Sequence, residues 1–169
     1  MPMFQVSRRA DYAMRMLIEL GVQEPGECLS AQVMSQRTAV PKAFLHKIAA
    51  DLVKAGLVRT IAGSRGGVTL ARSVKKITVL NIVEAVDGSI CLNSCLLRPR
   101  ECSRDLMCSG HGFWGHIQNV LIAELEATTL AQLVEEADKL RQEPARPDYI
   151  SYLFCQEEAL FPDEEFTSA

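Results

Sequence analysis

The feature that most constrains the fold is a pair of helix signals separated by only three residues. Ser30 is placed to cap a short helix over residues 31–37, because a serine hydroxyl accepts a hydrogen bond from the first helical turn. After residues 38–40, Pro41 suits the first position of a further helix, and Gly56 ends that helix. So short a connection predicts a helix-turn-helix unit.

A longer helix is predicted after Ser7, and its apolar residues are spaced like those of the helix after Pro41. In both helices these positions recur at helical spacing, which predicts one buried face on each helix. The positions expected to face inward in the first helix are Ala10, Ala13, Met14, Leu17, Ile18 and Leu20. Those in the helix after Pro41 are Phe44, Leu45, Ile48, Ala49, Leu52 and Val53.

A short hairpin is predicted next, with strands over residues 57–61 and 68–71 and three glycines between them. Helix, short helix, turn, helix and hairpin is the order of a winged helix-turn-helix. The fold class is therefore mainly α, with a small two-stranded β wing. Three more helices are predicted: one capped by Thr78, a long one over residues 112–127, and a last one over residues 129–141.

Charge is divided unevenly along the chain. Residues 1–76 contain 12 Lys and Arg against 5 Asp and Glu, whereas residues 77–169 contain 6 against 16. A basic amino-terminal half indicates a polyanionic partner such as double-stranded DNA. The residues expected to contact DNA are Lys42, Ala43 and His46 at the exposed start of the helix after Pro41, Lys47 and Arg59 toward phosphates, and Ser64 and Arg65 at the hairpin tip, with Arg65 entering the minor groove.

Cysteines form the second constellation. The chain begins without an apolar leader and has no apolar run long enough to span a bilayer, so we expect a cytoplasmic protein with no membrane partner. Structural disulfides are rare in the cytoplasm, so the cysteines need another explanation. The spacing is Cys95-x6-Cys102-x5-Cys108-x2-His111. Thiolates with one histidine can hold an iron–sulfur cluster, whereas zinc sites favour closer pairs, so the wide spacing favours iron–sulfur. An alternative role for His111, capping the helix that follows, remains open.

The other three cysteines are less informative. Cys28 and Cys155 are isolated, and buried or incidental thiols explain them adequately. The role of Cys91, just outside the spaced set, stays open.

Several motifs together resemble the Rrf2 family of bacterial winged-helix transcription regulators, including its IscR-like and NsrR-like members. The similarity covers roughly residues 1–140. It rests on Asp11-Tyr-Ala-Met-Arg15, Val40-Pro-Lys-Ala-Phe-Leu-His-Lys-Ile48, Ala55-Gly-Leu-Val-Arg59, Gly63-Ser-Arg-Gly-Gly67, Ile82-Val-Glu-Ala-Val-Asp87, the three spaced cysteines and His111-Gly-Phe-Trp114.

This resemblance implies a homodimer joined by the long helix, with two reading helices on a two-fold operator. It implies that Cys95, Cys102 and Cys108 bind the cluster. IscR-like members use a histidine as fourth ligand, here His111, whereas NsrR-like members can use an aspartate of the partner's first helix, here Asp11. His111 indicates a 2Fe-2S cluster, which we favour, and Asp11 a 4Fe-4S cluster.

The predicted organisation has four parts. They are a winged helix-turn-helix domain (residues 1–90), a cysteine-rich cluster-binding loop (residues 91–111), a dimerisation helix with a following short helix (residues 112–141), and an acidic tail (residues 142–169).

The leading functional hypothesis is a regulator whose operator binding depends on a cluster that senses redox state, iron–sulfur status or nitric oxide. A zinc-binding or thiol-switch regulator of the same fold is the alternative, and a small iron–sulfur electron carrier would leave the basic unit unexplained. No nucleophile–base pair or phosphate loop stands out, so we expect neither an enzyme nor a small-molecule substrate.

Overall fold

A computed structural model of the chain describes residues 6–63, 66–98, 102, 104 and 107–143. Two compact units divide the chain after Ala137. In the first unit lie α1 (Arg8–Gly21), α2 (Ala31–Thr38), α3 (Lys42–Lys54), β1 (Val58–Ile61), β2 (Gly67–Leu70), α4 (Val79–Asp87), α5 (Ser94–Leu97) and α6 (Ser109–Ala127). Helix α7 (Leu130–Gln142) begins there, and its last residues belong to the second unit.

The predicted fold class is confirmed: a mainly helical unit with one two-stranded antiparallel sheet. Local caps explain the helix starts. The hydroxyls of Ser7 and Ser30 accept hydrogen bonds from the third residue beyond them, and Thr78 forms a reciprocal capping box with Asn81. Gly56 ends the α3 region with a φ of 68°, a conformation that favours glycine.

The core lies where α1, α3 and α4 meet, and α2 and β1 close it. Helix α1 contributes Met16 and Leu17, α3 contributes Ile48 and Leu52, and α4 contributes Ile82. Leu130, the first residue of α7, is buried in the same cluster, and the backbone N–H of Leu130 donates to the carbonyl of Ile77. The exposed side chains of α3 are therefore carried by a helix whose other face is fixed in this core.

Two predicted core positions are wrong. Phe44 and Val53 remain 42% and 40% exposed, because they lie at the two margins of the α3 stripe formed by Leu45, Ile48, Ala49 and Leu52. Phe44 instead packs edge-on against Tyr12 of α1. Met16 is a core residue that the predicted α1 face omitted.

The wing (β1 and β2) carries a second backbone pairing that the sequence did not predict. Leu29 and Val68 exchange backbone hydrogen bonds of 3.0 and 2.9 Å. A Cβ at Gly67 would lie 2.3 Å from the carbonyl oxygen of Leu29, so glycine is required for this approach. The wing is thereby fastened to the segment that leads into α2.

The segment predicted as a loop over residues 91–111 contains the one-turn helix α5. Helix α6 begins at Ser109 rather than at residue 112, so His111 lies on a helix. Among the residues that the structure describes, no helix is both long and apolar enough to cross a membrane.

Candidate nucleic-acid interface and cysteine segment

The outer face of α3 presents the predicted reading residues. Lys42, Ala43, His46 and Lys47 are all exposed, while the opposite face is buried in the core. Lys54 extends the cationic surface to the last turn of the helix. An exposed face supported by a buried stripe can enter a groove without unfolding, which is the geometry of a recognition helix.

The wing adds a cation beside this face. Arg59 is exposed on β1, opposite the buried Thr69 of β2. Ser64 and Arg65, which were predicted to contact DNA from the hairpin tip, lie outside the described residues. In the described part of the wing, Arg59 therefore supplies the positive charge beside α3.

An open groove of about 550 Å³ separates α3 from the wing. Its apolar lining includes the exposed side chains of Val53 and Ile61, and His46 and Ala50 lie along its helical side. No pattern in the sequence predicted this groove. Its signal was Val53, an apolar residue at the edge of a helical stripe.

Helix α1 is tied to α3 by two side-chain contacts. The guanidinium of Arg9 forms an ion pair with Asp51. The rings of Tyr12 and Phe44 meet with centroids 5.5 Å apart, and the Arg15 guanidinium lies 5.9 Å from the Tyr12 ring centroid. A displacement of Tyr12 on α1 would therefore act directly on Phe44 in the first turn of α3.

Asp11, the alternative cluster ligand, lies in the first turn of α1. Its carboxylate is 2.8 Å from Nη2 of Arg15, one turn further along, and both side chains are about half exposed. To bind iron, Asp11 would have to leave this ion pair.

A second tie joins α1 to α2. Glu19 is buried, with 6% exposure, and its carboxylate is 3.0 Å from Nη1 of Arg37. Gln23 bridges the pair, accepting from Arg37 and donating to Glu19. The buried Glu19 carboxylate thus fixes α2, the helix before the turn that leads into α3, against α1.

The predicted cluster ligands lie on different elements. Cys95 is on α5, Cys108 is the residue before α6, and Cys102 lies between them. The backbone N–H of His111 donates to the carbonyl of Cys108 at 3.1 Å. Across residues 6–63, 66–98, 102, 104 and 107–143, no group of three or more His, Cys, Asp or Glu side chains is gathered closely enough for a metal ion.

The thiols themselves are available. Cys95 and Cys102 are half-buried, Cys91 and Cys108 are exposed, and none of the cysteines in the described part of the chain is in a disulfide. The Cys91 thiol donates to the carbonyl of Asn93, and Cys28 lies in the loop before α2. Cys155 lies outside the described residues.

Helix α6 carries an uncovered apolar stripe. Phe113, Ile117, Val120 and Leu121 recur at helical spacing, and Phe113 and Val120 are more than half exposed. A stripe of this kind in a single chain indicates a surface that another protein covers.

Comparison with known proteins agrees with this architecture. A family model named Rrf2, described as an iron-dependent transcriptional regulator, matches residues 6–136. The regulator NsrR of Geobacillus kaustophilus is 27% identical, and the alignment covers 81% of this chain and 94% of that protein.

Two solved structures are similar in fold. IscR of T. potens superimposes with a TM-score of 0.67 at 23% identity, covering 88% of this chain and 97% of that one. The oxidized form of CymR from Staphylococcus aureus gives 0.62 at 21% identity, covering 78% and 97%. At these identities the two structures show the fold alone.

Proposed function

Because the chain belongs to the Rrf2 family of transcriptional regulators, which bind DNA, we propose that it is a homodimer whose operator affinity is controlled by an iron–sulfur cluster. The observation that carries the DNA-binding part is the exposed face of α3. Lys42, His46 and Lys47 project from a helix whose other side is fixed in the core. Arg59 extends the cationic surface onto the wing.

The apolar stripe of α6 supports the dimer. Burying Val120 and its neighbours against a second copy would remove a large apolar surface from water. A two-fold dimer presents two α3 helices to a two-fold operator, so its half-sites would lie one helical turn of DNA apart, or a multiple of that spacing.

The chemistry of the donor set fits an iron–sulfur cluster. Cys95, Cys102 and Cys108 are free thiols outside the apolar core, and thiolates are the usual ligands of these clusters. When bound, the cluster would supply iron centres that react with oxidants or nitric oxide. The ligands lie on and between α5 and α6, so binding requires this segment to close around the group.

His111 is our choice for the fourth ligand. It lies one helical turn after Cys108, on the element that the last thiol precedes. Asp11 by contrast has an ordinary role, since its carboxylate pairs with Arg15 and favours the positive end of the α1 dipole. His111 with three thiolates favours a 2Fe-2S cluster, and recruitment of Asp11 would favour 4Fe-4S.

Control of DNA binding follows from the packing of α4. This helix contacts α1, α3 and α6, and the cysteine segment (residues 91–111) lies between α4 and the start of α6. Closing or releasing that segment would change where α6 leaves the reading unit, and hence the separation of two reading helices. Such coupling is typically worth ~1–3 kcal/mol, or about 5–150-fold in affinity.

Anaerobic purification followed by iron, sulfide and zinc analysis with an absorption spectrum tests the cofactor. We expect a coloured protein with iron and sulfide in equal amounts and no zinc. A thiol-switch regulator is the second candidate, favoured by the free cysteines and by similarity to a structure of an oxidized CymR. Colourless, metal-free protein whose DNA binding responds to a disulfide-forming oxidant would establish that candidate instead.

A further inference from the structure

The outer face of α3 alternates small apolar and polar side chains. Ala43, His46, Lys47, Ala50 and Lys54 follow each other at helical spacing, and all five are exposed. Ala43 and Ala50 lie on this outward face, not in the core, and Ala50 also borders the groove toward the wing.

The positive charge around the outer face of α3 indicates that its partner is a polyanion such as DNA. Lys42, Lys47 and Lys54 are exposed along α3, and Arg59 is exposed on β1, so the alanines lie within a cationic surface suited to DNA phosphates. An alanine cannot read a base through hydrogen bonds, because its side chain is a single methyl group. That methyl can pack on the C5-methyl of thymine, which is exposed in the major groove.

Resting on the proposed function, we propose that Ala43 and Ala50 are specificity-determining residues that read two thymine methyl groups in each operator half-site. The two residues are seven positions apart on one helix, so their Cα atoms are separated by ~10.5 Å along its axis at ~1.5 Å per residue. Base pairs stack at ~3.4 Å, so with the axis of α3 lying along the stack, as the proposal takes it, the two thymines are about three base pairs apart. His46 and Lys47 face the pairs between them.

The first test selects operators from a pool of random DNA duplexes with the full-length protein purified without oxygen. Each thymine of the enriched half-site is then replaced by deoxyuridine, which removes only the methyl group. We expect about a fourfold loss of affinity at two thymines about three base pairs apart, the loss expected for one buried methyl group. Replacement of thymines elsewhere should leave affinity unchanged.

Glycine variants assign each methyl contact to its residue. Ala50→Gly should abolish the effect of deoxyuridine at one thymine and keep it at the other, and Ala43→Gly should do the reverse. Each variant is the folding control for the other, since its remaining sensitivity requires a docked helix. If deoxyuridine has no effect on affinity, or if its effects persist in both glycine variants, the inference is overturned. The proposed DNA-binding function would still stand in that case. A pool from which no sequence is enriched would overturn the proposed function itself.

Discussion

Tyr12 of α1 and Phe44 of α3 meet edge to face, with ring centroids 5.5 Å apart and planes inclined at 73°. Phe44 is in the first turn of α3, beside the reading residues Ala43 and Lys42. Tyr12 follows Asp11 in α1, and Arg15 both pairs with Asp11 and lies over the Tyr12 ring. The start of α3, our proposed recognition helix, is thus in contact with the α1 surface that carries Asp11, the alternative cluster ligand.

The Tyr12–Phe44 contact should be measurable as a coupling energy. In a double-mutant cycle with Tyr12→Ala and Phe44→Ala, we expect the two losses in free energy of unfolding to be non-additive by about 1 kcal/mol, as for other aromatic pairs. Chemical denaturation monitored by circular dichroism measures each variant. Strictly additive losses would show that the rings do not stabilise one another.

The Glu19–Arg37 pair should matter more than the Asp11–Arg15 pair. Arg37→Met removes the Arg37 guanidinium from the buried Glu19 carboxylate, and we expect a loss of about 2 kcal/mol in the free energy of unfolding, below the full cost of a wholly buried pair because Arg37 is half exposed. Arg15→Met is the matched control. It breaks an exposed pair and should cost less than about 0.5 kcal/mol. Equal losses would refute this ranking.

The stripe on α6 predicts a dimer that a single charge disrupts. Val120→Glu places a carboxylate within the stripe, and we expect at least a tenfold rise in the dimer dissociation constant, measured by sedimentation equilibrium. Asn119→Glu adds the same charge to the opposite side of the helix and should leave the dimer intact. A dimer that survives Val120→Glu unchanged would place the interface elsewhere.

Cluster ligation predicts a sharp difference among cysteines. Cys102→Ser should remove most visible absorption from protein purified without oxygen, because a hydroxyl is a poor substitute for thiolate. Cys28→Ser, in the loop before α2, should retain the parent spectrum. A fully coloured Cys102→Ser protein would contradict the ligand assignment.

The fourth ligand is decided by a pair of variants. His111→Ala should alter the absorption and electron paramagnetic resonance spectra, because we assign an imidazole nitrogen to the cluster. Asp11→Ala should leave both spectra nearly unchanged and cost little stability, since its ion pair is exposed. The reverse pattern would assign Asp11 and favour 4Fe-4S.

The elements that sequence predicted well depend on local signals. Ser7, Ser30 and Thr78 cap helices through contacts within the next turn, so each can be read from a short window. The exposure of Lys42, Ala43, His46 and Lys47 followed from the periodicity of their buried neighbours. Helix caps and apolar periodicity can both be recognised in the sequence without knowledge of the tertiary structure.

What escaped prediction depends on distant partners. Phe44 is a large apolar residue at the margin of the α3 stripe, and its packing partner there, Tyr12, lies on a different helix that no local pattern could identify. The Leu29–Val68 pairing requires a backbone approach at Gly67 that no local pattern specifies. The spacing of Cys95, Cys102 and Cys108 indicated a ligand set, but it did not predict that Cys95 lies on a helix or that α6 begins at Ser109.

The central claim, that a cluster controls DNA binding, is tested most directly by the operator affinity of one anaerobic preparation before and after its iron is removed with a chelator. Fluorescence anisotropy with a selected operator duplex gives both constants, and the visible spectrum reports the cluster in the same samples. We predict that affinity changes by about 5–150-fold as the spectrum is lost, and that Cys28→Ser protein behaves identically. Equal affinities before and after loss of the cluster would contradict the account.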